Sequence, residues 1–140
     1  MTLQETSHYL FNASDPLSFR EWETLTGYPG GLGRYHLGTD RRSFLATFYH
    51  QIHCIRQLNM AVLDKNDKIA TPHHVNHCLQ YLRQTMLCKA ADTLENGDFM
   101  ERNFETDRVG PEVMCVDWEA AYSRHEDAWD KFTEWRKYWN

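Results

Sequence analysis

Residues 41–63 read RRSFLATFYHQIHCIRQLNMAVL, and residues 72–88 read PHHVNHCLQYLRQTMLC. In the first stretch Phe44, Phe48, Ile52, Ile55, Leu58 and Val62 recur at helical spacing. That spacing predicts an amphipathic helix from about Arg41 to Leu63, with Asp40 as its N-cap. In the second, Val75, Leu79, Leu82 and Met86 repeat the pattern behind Thr71-Pro72, a cap followed by the residue favoured at the first helical position. This helix is predicted to run to about Glu95, where Asn96-Gly97 reads as a stop. On a wheel of ~100° per residue, each helix carries a second face opposite its aliphatic one. On the first helix that face holds His50, His53, Cys54 and Gln57. On the second it holds His74, His77, Cys78, Tyr81 and Cys88.

Working outward, Asp117 is a good cap for a further helix from about Trp118 to Tyr138, with Trp118, Tyr122, His125, Trp129, Phe132 and Trp139 along one stripe. Residues 1–40 read as an irregular N-terminal segment, with Gly27, Gly30, Gly31 and Gly33 marking turns or close backbone approaches. No Lys-Ser/Thr follows this Gly-rich run, so it does not read as a phosphate-binding loop. Residues 96–116 read as polar and irregular. No sustained alternation of period two occurs. The expected fold is therefore all-α: one domain over 1–140, a small helical bundle over 41–140 with two His/Cys-bearing helices. Its core is expected to contain Phe44, Phe48, Ile52, Val75, Leu79, Leu82, Trp129 and Phe132.

A length of 140 residues suits one domain with a real core. The net charge of −5, with no Lys/Arg cluster, argues against nucleic acid and anionic lipid as partners. The start of the chain has neither a basic region nor an apolar run of signal-peptide type, and no stretch approaches the ~18 apolar residues of a membrane span.

The repeated His-x-x-His-Cys motif, His50–Cys54 and His74–Cys78, is the most informative feature. Histidines at i and i+3 share one helix face, with Cβ atoms ~5–6 Å apart, close enough for two imidazoles to share an ion. Two such helices face to face would offer four imidazoles, a ligand type that suits copper, zinc, iron and nickel alike. His50, His53, His74 and His77 are the metal-ligand candidates. Tyr49, Gln57 and Tyr81 lie where they could orient those imidazoles or assist chemistry. His73 falls off the His/Cys face, His125 sits within an aromatic stripe as a core residue, and His8 and His36 lie in irregular sequence. His-Glu-x-x-His, Cys-x-x-Cys and nucleophile-elbow motifs are absent, which argues against the common zinc-protease, zinc-ribbon, thioredoxin-like, c-type haem and serine-hydrolase readings. A closed structural zinc site in a non-enzymatic helical interaction module stands as the alternative.

Of the four cysteines, Cys78 and Cys88 lie ten residues apart on one predicted helix, ~15 Å along its axis, and cannot pair there. Two disulfide patterns stay open: Cys54–Cys78 with Cys88–Cys115, or Cys54–Cys88 with Cys78–Cys115.

The stretches Phe48-Tyr-His-Gln-Ile-His-Cys54 and Pro72-His-His-Val-Asn-His-Cys-Leu-Gln-Tyr-Leu-Arg-Gln84 resemble the paired signatures of the UstYa-like oxidases of fungal natural-product pathways. Cys88-Lys-Ala-Ala-Asp-Thr-Leu-Glu95, Cys115-Val-Asp-Trp118 and Glu21-Trp22 with the Gly-rich run are similar to further elements of that family. The resemblance implies oxidative tailoring of a peptide or small secondary metabolite: cyclisation, hydroxylation, desaturation or halogenation at a C–H bond. It implies copper as cofactor, with iron and zinc as alternatives, and dioxygen and a small molecule or peptide as reaction partners. Homo- or hetero-oligomers are compatible with it. It implies the lumen of the secretory pathway, although family members usually carry an N-terminal membrane anchor and this sequence shows none. In that compartment disulfides persist. The matching placement of Cys54 and Cys78 in the two motifs then favours Cys54–Cys78 with Cys88–Cys115.

Overall fold

The structure, a computed structural model, describes residues 1–12, 14–28, 30–89, 100–101, 103, 106–107 and 109–139. In chain order the elements are β1 (Thr2–Gln4), α1 (Pro16–Gly27), β2 (Arg34–Leu37), β3 (Arg42–Leu45), α2 (Thr47–Leu63), α3 (Pro72–Cys88), β4 (Val109–Glu112) and α4 (Trp118–Lys137). The chain is mostly helical, but two small antiparallel sheets make it less than purely all-α. β1 pairs with β4, so the N-terminus lies beside the segment that leads into α4. β2 and β3 form a hairpin in which Arg34 faces Leu45 and Leu37 faces Arg42.

Two helix starts follow the sequence signals closely. Thr71 caps α3, its hydroxyl accepting from the His74 N–H at 3.3 Å, and Pro72 opens the helix. Asp117 caps α4, accepting from the Ala120 N–H at 2.9 Å. α3 is helical to Cys88, and the expected stop at Asn96-Gly97 lies outside the described residues.

The predicted start of α2 is corrected. The helix begins at Thr47, not near Arg41, and its N-cap is Ala46, which makes no side-chain capping bond. Asp40 instead lies in the turn of the β2–β3 hairpin, where Gly38 and Arg41 both have positive φ (78° and 49°). Two left-handed residues bracketing a turn reverse the chain, and pairing with β2 then satisfies the backbone of residues 42–45 that a helix would have used.

Residues 1–40 are not uniformly irregular either. Asp15 caps α1 by accepting from the Leu17 N–H at 2.9 Å, with Pro16 at the first turn. α1 buries Ser18 and Thr26 while Leu17 and Phe19 stay exposed, so it has no apolar stripe for periodicity to detect.

The seam between α2 and α3 is the centre of the molecule. Cys54, Cys78 and Leu82 form its buried cluster, with Leu58 and Tyr81 packed against it. The two-faced wheel holds, but the His/Cys faces are the ones that meet. The outer arc keeps Ile55, Val62, Leu79 and Met86 exposed, and Phe44 is also exposed, so Phe44 and Leu79 are not core. Cysteine is small enough for two helices to approach closely, which explains why this face wins the contact. Phe48, Ile52, Val75, Trp129 and Phe132 are half-buried.

The Gly-rich run serves close approach. Gly30 and Gly31 lie against the Trp129 ring, and a Cβ on Gly31 would stand 2.3 Å from it. Gly33, at φ +75°, sits under Tyr49, where a Cβ would come within 2.3 Å.

Candidate metal centre

α2 and α3 present their histidines to each other as two cross-helix pairs. His53 Nε2 lies 3.3 Å from His74 Nε2, and His50 Nε2 lies 3.3 Å from His77 Nε2. Ring centroids are 5.3 Å apart within each pair and 6.4 Å apart along each helix, so the four imidazoles mark the corners of a near-rectangle. Two imidazole nitrogens bound at ~2.0–2.1 Å to one ion at a near-tetrahedral angle stand ~3.3 Å apart. Each pair has that spacing. The arrangement is one of pairs: among the described residues no three His, Cys, Asp or Glu side chains are gathered to hold one ion as they stand.

The protonation pattern favours free lone pairs. His74 Nδ1 lies 2.9 Å from the Ile69 carbonyl. A carbonyl only accepts, so this nitrogen carries a proton, which leaves Nε2, facing His53, as the ring's position for a lone pair. Burial holds the His50 imidazole below its ordinary pKa, and the neighbouring His77 and His74 add to the effect. Burial does the same to His53, followed by the proximity of His74 and His50. These rings stay neutral, the form that binds metal.

The three other candidates occupy different positions. Tyr81 stacks on His50 with centroids 3.9 Å apart and limits that ring's rotation. Gln57 is buried at the seam, and its Oε1 has no hydrogen-bond partner. Tyr49 is buried on the α4 side of α2, in ring contact with Phe48, Tyr122 and His125. Its hydroxyl has no hydrogen-bond partner, and desolvation raises its pKa.

His125 is fully buried in α4, with its Nε2 accepting from the Gly33 N–H at 3.1 Å. This is the core role expected of it. His36 stacks on Phe132 with centroids 3.5 Å apart. His8 bonds Glu21 at 2.6 Å, near the surface. His73 is exposed, as its place off the His/Cys face implies.

Neither expected disulfide pattern is formed. All four cysteines are free thiols, Cys54 and Cys78 buried, Cys88 and Cys115 exposed. The facing of Cys54 and Cys78 across the seam is as anticipated, but they meet as hydrogen-bonded thiols. Burial, then that hydrogen bond, pushes the Cys54 thiol up to about 12. A thiol so raised stays protonated near neutrality and is a poor metal ligand. Cys115 follows β4 and lies 3.7 Å from the Met1 sulfur, drawn to the N-terminus by the β1–β4 pairing.

Among the described residues no helix is long and apolar enough to cross a membrane. A protein-family model described as mycotoxin biosynthesis protein UstYa matches residues 39–137, a span that begins at the β2–β3 turn and takes in both His-bearing helices and α4. No curated protein and no solved structure matches the chain.

Proposed function

The chain belongs to the UstYa family, and from that premise we propose that it is a copper-dependent oxidase tailoring a peptide or small secondary metabolite at a C–H bond. The family assignment places it in fungal secondary-metabolite biosynthesis. The observation that carries the finer reading is the pair of 3.3 Å Nε2–Nε2 contacts across the α2–α3 seam. His50, His53, His74 and His77 would hold the metal. Copper bound there would supply one-electron cycling against dioxygen, the chemistry that oxidation of an unactivated C–H bond needs and that side chains alone do not provide.

The chain's own part is positional. The Ile69 carbonyl fixes the His74 tautomer, and Tyr81 backs the His50 ring. The buried Cys54–Cys78 contact sets the distance between the helices. His77 is exposed, so that end of the tetrad is open to a substrate, while at the other end the α2–α3 connection sets the Ile69 carbonyl against His74. Neutral imidazoles without thiolates suit a metal that must visit two oxidation states, and protonated thiols are less readily oxidised than thiolates.

The test is electron paramagnetic resonance of the protein loaded with Cu(II), followed by reduction with ascorbate and reoxidation in air. Nitrogen hyperfine structure that disappears in His53→Ala/His77→Ala, with reversible loss and return of the signal in wild type, is the expected result. A protein that takes up zinc in preference and gives only a weakly bound, solvent-like copper signal would establish the structural-zinc alternative.

A further inference from the structure

A second concave feature lies on the opposite side of α2 from the histidines. An open cleft of about 970 Å³ runs between α1, α2 and α4. Phe48 and Ile52 form its α2 wall. On the helical wheel these two lie ~150° from the mean direction of His50 and His53, so the body of α2, ~10–12 Å across, separates cleft from tetrad. A molecule held in the cleft is held by a part distant from any group presented to the imidazoles.

The cleft is built from aromatic surfaces with an acidic edge. Tyr122 lines it, with its hydroxyl donating to the Leu25 carbonyl at 2.8 Å and its ring edge-on to Trp118. Tyr9 also lines it, in the left-handed conformation (φ 57°), which a residue with a Cβ rarely adopts. It is held there by its N–H donating to the Glu21 carboxylate at 2.8 Å and by edge-on packing against Trp22. Glu119, Tyr122, Ser123 and Glu126 fall at i, i+3, i+4 and i+7 on α4, so both carboxylates border the same groove. The Tyr28 hydroxyl donates to Glu126 at 2.8 Å and orients it. No Lys or Arg among the described residues lines the cleft.

We propose that this cleft docks a cationic peptide segment with bulky apolar side chains, engaged apart from the His tetrad. The aromatic walls accept apolar side chains, and their ring faces attract ammonium and guanidinium groups. The two carboxylates supply the complementary charge and select against acidic partners. A second copy of this chain is a poor occupant, because each copy carries −5 overall and would bring its own negative field to an acidic rim. The inference does not depend on which metal the histidines hold.

The experiment is calorimetric titration of the full chain with the acetylated, amidated pentapeptide Phe-Lys-Leu-Arg-Phe, and with its acidic analogue Phe-Glu-Leu-Glu-Phe. The cationic peptide is expected to bind, and to bind at least about tenfold more tightly than the acidic one. The double variant Glu119→Gln/Glu126→Gln, which keeps side-chain size and the Tyr28 contact, should weaken the cationic peptide by about tenfold with an unchanged circular dichroism spectrum. His53→Ala/His74→Ala should bind it as wild type does, so failure of the metal reading and failure of this one are separable. No heat with the cationic peptide up to about 1 mM, equal affinity for both peptides, or full affinity in the Gln variant would overturn the proposal. So would a wild-type dimer by sedimentation whose dissociation is required before peptide binds.

Discussion

Histidine is used in two opposite ways in this molecule. At the α2–α3 seam four imidazoles face one another in pairs and two of them are set against a carbonyl or a tyrosine ring. In α4 a single imidazole, His125, is buried completely and its Nε2 is spent on the Gly33 backbone N–H. The difference lies in what each nitrogen faces. A lone pair aimed at a backbone donor ties the chain together. A lone pair that meets only another imidazole nitrogen shares a proton that a metal ion can replace. Residue type alone does not separate these uses, and burial alone would rank His125 first.

The comparison can be broken by substitution in metal-free protein. His125→Ala should have the largest effect, ~3–5 kcal/mol in urea unfolding, because it opens a cavity beside Tyr49 and leaves the Gly33 N–H unpaired. His77→Ala, at an exposed position, should change stability by less than ~1 kcal/mol under the same conditions. Equal costs at the two sites would show that the tetrad is a structural network and not a ligand set. Gly33→Ala should follow at ~2–4 kcal/mol, since a Cβ there is strained by its φ and driven into Tyr49. Within α3, Leu82→Ala should cost ~2–3 kcal/mol while Leu79→Ala costs less than ~1, because Leu82, at the edge of the aliphatic arc beside Cys78, is buried in the seam and Leu79 is exposed.

That last pair marks where sequence reasoning succeeds and where it stops. Periodicity separates the two faces of α2 and α3 except at their edges, where Leu58 and Leu82 of the aliphatic arcs join the cysteines in the seam, and the caps at Thr71 and Asp117 place two helix starts to the residue. Periodicity does not say which face is covered. The aliphatic arc looks like the core because Val62, Leu79 and Met86 are larger and greasier than Cys54 and Cys78, yet the cysteines are buried and the aliphatics exposed. Packing at the seam depends on how closely two backbones can approach, a property of the pair of helices and not of either alone. The hairpin was missed for a related reason. Phe44 continues the helical spacing of Phe48 and Ile52, while the positive φ of Arg41 that reverses the chain has no signature in an arginine. α1 had a signature, Asp15-Pro16, in the same form as Thr71-Pro72, but its buried residues Ser18 and Thr26 carry no hydrophobic pattern to support it. The pairing of His53 with His74 and of His50 with His77 follows from antiparallel facing helices, and the repeated motif is what made the site legible.

A smaller effect sharpens the contrast by pH. Burial is the leading cause that lowers the pKa of His36, His50, His53 and His125 in the folded chain. Below the ordinary imidazole value of about 6.5 the unfolded chain therefore binds more protons than the folded one, so stability is complete above that pH and declines as pH falls through it. The urea midpoint of metal-free protein should drop between about pH 7.5 and 5.5, and His50→Ala/His53→Ala should shrink the drop without abolishing it, because His36 and His125 remain. A midpoint that rises on acidification would show that the imidazoles gain partners for their charged form.

The most direct measurement is the copper content of wild type and three variants after reconstitution of metal-free protein and removal of excess metal, with helicity checked on the same samples. Wild type and His73→Ala should retain copper in fixed stoichiometry, as should His125→Gln if it remains folded. The variant with His50, His53, His74 and His77 all changed to Ala should keep its helical spectrum and retain none. A folded quadruple variant that holds copper at the wild-type level would contradict the account.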